Sequence, residues 1–399
     1  LHIKDNAGSW NPDLVRLSLP QSLMIIGSND FNDCDALESV TIPAGVRYIG
    51  NGAFSDSVLL KSITFEGVCP TFDGVSFDYL ADGATAYVPD DQLEAYQAAF
   101  ADMDTDLSAQ PSGKNAVVVD NNGFREEDFD FDAATGTIIQ YNGSAVYLCI
   151  PEAIGGMPVK ALGENAFQFS RTLAYVTLPE GLETIGNSAF ANCFTLLHVD
   201  FPTTLETIAD NAFAGGSYLG GSLELPHVRT IGAHAFEHAR LRGELTLPEG
   251  LETIGDSAFY NCETLGRVKF PSTLKTIGSN AFYNAYKSSV LELTSVESIG
   301  DYAFYFAGLK GSLELPEGLR TIGENAFEAC ANMGANLYLP STLESIDSNA
   351  FKGDYNIQYI VLESPTAPAL GENVFAGCDY LYDIDLNAHG TRQEMQQWQ

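Results

Sequence analysis

The stretch Leu173–Phe190, LAYVTLPEGLETIGNSAF, returns along the chain as LLHVDFPTTLETIADNAF from Leu196, as LGRVKFPSTLKTIGSNAF from Leu265 and as NLYLPSTLESIDSNAF from Asn336. With the final Phe as a ruler, the positions are Phe167, Phe190, Phe213, Phe236, Phe259, Phe282, Phe304, Phe327, Phe351 and Phe375, in steps of 22 to 24 residues. Self-similarity this regular predicts a solenoid, in which one repeat cannot bury its own apolar edge and its neighbours complete the core. The ruler also fits Phe31, Phe54 and Phe77 and fails between Phe77 and Phe167.

One repeat can be read residue by residue. In L-x-x-V-x-L-P, alternation sends Val176 and Leu178 inward and Tyr175 and Thr177 outward, as in a short strand, and Pro179 ends it because proline cannot donate to a ladder. Leu182 and Ile185 then return to the core. Gly186 relieves the bend, and Asn187, Asp210, Asp256, Ser279 and Glu324 suit the first turn of a short helical segment that carries Ala-Phe inward. Stacking about ten such strands at ~4.8 Å gives a parallel sheet on the order of 45–50 Å long.

The break in the ruler predicts two arrays. Residues 1–105 read as a first array with its closing cap, 106–116 as a linker, 117–160 as the opening cap of a second array, and 161–399 as that array, with about ten repeats. One continuous solenoid with a long insertion is the alternative.

The 399 residues carry 19 Lys+Arg against 53 Asp+Glu, a formal net charge of −34. Phosphate backbones and anionic lipid surfaces are repelled by such a chain, and no basic patch offsets this, so nucleic-acid partners are excluded. No apolar run reaches the ~18 residues that span a bilayer, so direct membrane insertion is not expected. Acidic residues recur repeat by repeat (Glu180, Glu249, Glu317; Glu183, Glu206, Glu252), which makes the charge a property of the repeat that keeps a long array soluble. The chain does not begin with Met or with a signal-like segment and reads as a processed or trimmed form.

The motif L-x-x-I-x-L-P-x-x-L-x-x-I-G-x-x-A-F-x-x-C resembles the BspA-like, or Treponema-type, leucine-rich repeats. So do an opening G-T-I-x-x-Y-x-G (Gly136, Thr137, Ile138, Tyr141, Gly143) and a closing Y-V-P with a following Tyr (Tyr87, Val88, Pro89, Tyr96). The resemblance implies a right-handed repeat superhelix with a parallel β-sheet on one face and short helical turns and short strands on the other. It also implies a secreted or cell-surface bacterial protein that binds host matrix proteins or other cells. Residues 381–399 depart from the closing-cap pattern.

No motif makes a convincing chemical site. Cys34, Cys193, Cys262, Cys330 and Cys378 each lie three residues after a ladder Phe, where Ser170, Ala239, Ala285 or Ala307 stands elsewhere, so they read as small buried residues. Cys69 and Cys149 lie outside that column, and a bridge between them is not expected to frame the fold. His234-Ala-Phe-Glu-His238 matches a zinc-peptidase pattern, but Phe236 is the ladder Phe and no helix is expected to aim both rings. Asp128, Asp130 and Asp132 resemble the start of a calcium loop, yet Ala133 stands where Gly is needed; a strand with Phe129 and Phe131 inward fits better. No cofactor or metal is called for.

Two surfaces remain. On the outer face of the strands, Glu244 is expected beside Arg267 and Lys269 beside Glu292, with Tyr175, His198, Tyr338 and Tyr359 as further contact residues. Immediately after the ladder Phe, Tyr260, Tyr283 and Tyr305 fall in successive turns, joined by Tyr286, Tyr302 and Phe306, as either a stripe packed on itself or a partner site. The reading is a non-enzymatic, exported protein that mediates adhesion through its solenoid surface to a protein or glycoprotein ligand. A structural spacer and, remotely, a hydrolase with an unrecognised site are the alternatives.

Overall fold

The computed structural model describes residues 8–386 apart from 74–75, 82, 103–106, 113–124, 216–218, 220–222, 226, 242, 286, 331 and 363–366. The chain divides into two compact units, Leu1–Gly123 and Phe124–Gln399. Each has a contiguous apolar core of its own.

In both units most repeats contribute two short strands, and the cross-repeat pairings are parallel and mostly in register at corresponding residues, for example Val176 with Val199 and Ile185 with Ile208. The ladder Phe rings stack face to face, from 4.9 Å between Phe167 and Phe190 to 5.5 Å between Phe351 and Phe375. Such pairs contribute about 0.5–1.5 kcal/mol each beyond their buried area. They repeat at every turn and therefore fix the pitch.

The first unit has a four-stranded parallel sheet, Ser39–Ile42, Ser62–Phe65, Thr85–Val88 and Ser108–Pro111. Residues 108–111, read from the sequence as linker, thus form a strand of this sheet, with Ala109 buried. Helix Leu93–Asp102 buries Tyr96 and Phe100, and the Tyr96 hydroxyl donates to the carbonyls of Gly67 (3.3 Å) and Val68 (3.2 Å).

The second unit opens with an antiparallel hairpin, Phe129–Asp132 against Thr137–Tyr141, with Phe129 buried and Phe131 packed on the core. Asp128 is held by Arg125 at 2.7 Å, and Asp132 accepts from the backbone N–H of Ala134 and the hydroxyl of Thr135. From the hairpin runs a twelve-stranded sheet whose other members are the two-residue strands of the Thr-Ile column, ending at Ala369–Leu370.

The sheet expected to be continuous, that of L-x-x-V-x-L-P, is divided among four sheets in this unit. Within three of these sheets the register shifts, at Gly243/Leu245, Lys287/Ser289 and Gly311/Leu313, where one strand inserts residues against its neighbour. The Thr-Ile column has no such insertions and stays unbroken.

The turns carrying Ala-Phe close by single hydrogen bonds between residues three apart, such as Ala189 N to Gly186 O and Ala191 N to Ser188 O. No continuous helix forms there, because the residues two before and two after the ladder Phe are left-handed: Ser188 and Asn192 have φ of 54° and 59°. The acidic residues after Gly therefore do not cap helices. Asp210, Asp256 and Asp301 each accept at 2.8 Å from a backbone N–H of the next turn, in Ala233, Ser279 and Glu324.

Gly186 answers a different need from the one its place at a bend suggests: a Cβ on it would lie 2.6 Å from the Leu162 carbonyl oxygen one turn earlier. Glycine lets the backbones approach this closely without displacement, whereas Ala209 and Asp347, which stand in the same column, require the neighbouring turn to give way.

The acidic column after Pro also bonds between turns. Glu180 accepts from the N–H and hydroxyl of Thr203, Glu249 from those of Ser272, and Glu317 from those of Ser341. Beside them, Thr204, Thr273 and Thr342 each donate to a leucine carbonyl and accept from the Gly N–H of the preceding turn, all at 2.9 Å. A P-E-G turn followed by a P-[ST]-T turn is thus a matched pair.

Candidate functional site

The expected outer-face contact residues fall into three groups. Tyr175 is no anchor: it is 1% exposed, its ring sandwiched between Tyr147 and His198 at 4.8 Å on each side. Strand alternation sends it outward as expected, but the flanking aromatic rings in register with it cover it. Its hydroxyl donates to Asp200 at 2.9 Å, as does that of Thr177 at 3.0 Å, while His198 Nε2 lies 2.8 Å from the other carboxylate oxygen. Burial would raise the Asp200 pKa, but the hydrogen bond and charge of His198, with those two hydroxyls, outweigh it and hold the carboxyl below its ordinary value.

Cys149 is on the same sheet in register with Thr177, which stands between it and Asp200. Burial and the charge of Asp200 push its thiol pKa up, the reverse of what a nucleophile needs. All seven cysteines are free, including Cys69 and Cys149. In the post-Phe column, Cys193, Cys262 and Cys330 each donate at 3.1 Å to the carbonyl of the ladder Phe one turn back, and Ser57 does the same to Phe31 at 3.2 Å.

The second group is ionic, and its pairing differs from expectation. Lys269 pairs with Glu244 at 2.5 Å and Arg267 with Glu292 at 3.0 Å. Past the bulge between Gly243 and Leu245 the strands run Leu245 with Val268 and Thr246 with Lys269, so Glu244 still lines up with Arg267 and the long side chains reach diagonally to their partners. These groups are well exposed, so each pair contributes at most about 1 kcal/mol.

The third group surrounds a groove of about 420 Å³ lined by Val290, Glu292, Ser312, Glu314, Tyr338 and Pro340, among others. Tyr338 is half-buried, and its hydroxyl accepts from the Asn336 amide at 3.3 Å. In the next turn Tyr359, in register with Asn336, is 46% exposed. Arg267 and Glu292, the groove, Tyr338 and Tyr359 thus occupy successive turns of one face.

On the other candidate surface, Tyr260, Tyr283 and Tyr305 stack at 4.7 Å, with His238 edge-on to Tyr260 and Tyr302 tilted against Tyr305. Their faces are spent on one another. Desolvation, followed by the neighbouring tyrosines Tyr260, Tyr305 and Tyr302 and by Glu328, raises the pKa of Tyr283. Tyr286 lies outside the described residues.

His234 and His238 both have left-handed backbones (φ 56° each) and flank Glu237, at 3.0 and 3.8 Å from its two oxygens. They are not on one helix face. Among the described residues no group of three or more His, Cys, Asp or Glu is placed to hold a metal ion, and no helix is long and apolar enough to cross a membrane.

Two features escaped the sequence reading. Asp354 stands in the Cys/Ser/Ala column, 1% exposed, with no hydrogen-bond partner for either carboxylate oxygen. Burial pushes its pKa well above the carboxylate range; the Cys330 backbone amide opposes this without completing a hydrogen bond, and the charge of Glu328 adds to it. The other is the set of aromatics two residues after the ladder Phe. Column-by-column comparison of the repeats would have exposed both.

Parallel strands, stacked Phe rings and a polar outer face with aromatic members define a leucine-rich-repeat solenoid. The chain belongs to the BspA type leucine rich repeat family, whose model matches it in six copies over residues 2–127, 154–243, 229–311 and 297–396. It is similar in fold to a leucine-rich repeat protein from Bacteroides ovatus, with 22% identity over 96% of this chain and 82% of that one and a TM-score of 0.43. A leucine rich cell surface protein from Faecalibacterium prausnitzii has 18% identity over 94% of this chain and 85% of that one, with a TM-score of 0.30. The pneumococcal vaccine antigen PcpA has 17% identity over 91% of this chain and 67% of that one, with a TM-score of 0.34. No curated protein matches the chain.

Proposed function

We propose that this chain is a non-enzymatic bacterial surface protein that mediates adhesion by taking a protein partner on the outer face of its second unit. One observation carries the reading: the groove beside Tyr338, with exposed Tyr359 on one side and the Arg267–Glu292 pair on the other, in successive turns of one face. Half-buried aromatic centres with ionic rims suit protein contacts, where a few Tyr or Arg residues carry most of the affinity and the rim sets orientation. The upward push of burial and Asp200 on the Cys149 thiol pKa supports the non-enzymatic reading, and the spent faces of the Tyr stripe support this face over that one. Membership of the BspA-type repeat family supports an exported setting.

The test is a pull-down and titration of the purified chain against extracellular-matrix proteins and cell-surface extracts. Saturable binding at micromolar protein or below is expected, and none, with folding confirmed by circular dichroism, would remove the proposal.

A further inference from the structure

The residue two after the ladder Phe is left-handed throughout, and the ladder imposes this: its N–H reaches the carbonyl of the next turn, as Phe169 N does to Ala191 O and Phe306 N to Glu328 O, both at 3.0 Å. Asn192, Gly215, Asn261 and Asn284 fill the position with residues that tolerate that conformation. Phe169 (φ 59°, 57% exposed) and Phe306 (φ 54°, 60% exposed) break the rule twice, with a strained backbone and an unburied ring. Among the described residues no aromatic ring packs against either. In the first unit Trp10 and Tyr79 do the same in the equivalent slot, both exposed at φ 58° and 51°.

The spacing is regular. Trp10 and Tyr79 are 69 residues apart, as are Phe169 and His238, and His238 and Phe306 are 68 apart. Each interval is three turns, roughly 14 Å at about 4.8 Å per turn. Strain and exposure, with no ring stacked on Phe169 or Phe306 among the described residues, point to use outside the fold.

Phe169 also borders a pocket of about 290 Å³, lined by Asn142, Ser144, Gln168, Ser170 and Arg171 among others. Isolated ring faces beside amides and hydroxyls suit one chemistry. The C–H face of a sugar ring lies against the negative face of the aromatic ring, and amides match neighbouring hydroxyls with one donor and one acceptor each. A protein contact would need the rings gathered into one desolvated centre. The net charge of −34 disfavours sulfated or uronic chains.

We propose that Phe169 and Phe306, with the Phe169 pocket as one subsite, form a platform for a neutral oligosaccharide chain, distinct from the protein-binding face. The test is calorimetric titration of the full chain with cellohexaose, xylohexaose, maltohexaose and chitohexaose, and with a heparin hexasaccharide. At least one neutral probe binds saturably, and the heparin probe does not. Phe169→Asn with Phe306→Asn weakens that binding at least tenfold and leaves the thermal midpoint unchanged or raised, since asparagine already serves in this slot. Tyr359→Ser leaves it unaltered, which separates this site from the sheet face. No binding of any neutral probe by the folded wild type, preference for the heparin probe, or unchanged affinity in the double variant overturns the proposal.

Discussion

Replacing Asp354 by Ala stabilises the second unit. The site already takes alanine in three other turns, at Ala239, Ala285 and Ala307, so nothing clashes. Leaving a buried polar group unsatisfied costs about 1–3 kcal/mol. Removing the carboxyl group opens roughly 20–25 Å³, which at about 24 cal/mol per Å³ costs about 0.5 kcal/mol. The net gain at neutral pH is therefore about 0.5–2.5 kcal/mol, or roughly 1–10 °C in the midpoint of a unit this size.

The pH dependence follows from the raised pKa of Asp354. Above about pH 4 the unfolded chain has released this proton while the folded chain still holds it, so wild-type stability falls as pH rises toward the folded value. The gap between variant and wild type is smallest near pH 4 and widens toward pH 8. Thermal unfolding followed by circular dichroism across that range measures it. A variant less stable than wild type at pH 7, or a gap independent of pH, would refute the reasoning.

Phe259→Ala, at the middle of the stacked Phe ladder, should cost about 3–5 kcal/mol in denaturant unfolding, because rings on both sides lose a face. Thr273→Val removes a hydroxyl that donates to Leu251 and accepts from Gly250, and should cost about 1–2 kcal/mol by the same measurement. Tyr175→Phe deletes a donor to Asp200 and should raise its pKa in an NMR titration. The Asp200 contribution to stability is present above about pH 4 and is lost as pH falls through its depressed folded pKa, so the variant loses it at higher pH. Cys193, pushed up to about 12 by burial, should react with a thiol reagent only in denaturant; rapid labelling of the native protein would count against the packing described.

Much of the fold is legible in the 23-residue rhythm because stacking repeats each physical requirement at each turn: a ring for the Phe column, β-branching for the Ile column, glycine where backbones touch. Departures from the rhythm were harder to read. Tyr175 alternates outward, yet Tyr147 and His198 bury it, and their register follows from chain lengths between turns. The ion pairs of Arg267 and Lys269 crossed over because long side chains reach diagonally between turns, which strand register alone does not reveal. The acidic residues read as solubilising charge are in part hydrogen-bond acceptors between turns, as at Glu180 and Glu249. Phe169 stands out in a column largely of Asn and Gly, but the left-handed requirement that makes it costly there shows only when the backbone is seen.

The account places the partner on the sheet face, and one comparison decides it. Against an immobilised matrix protein that binds the wild type, Tyr338→Ser with Tyr359→Ser should weaken affinity about tenfold or more, the loss of at least 1.4 kcal/mol typical of interface aromatics. Tyr260→Ser with Tyr283→Ser and Tyr305→Ser should leave it within about threefold in surface plasmon resonance. The reverse pattern, with the stripe variant losing affinity and the sheet-face variant keeping it, would contradict the account.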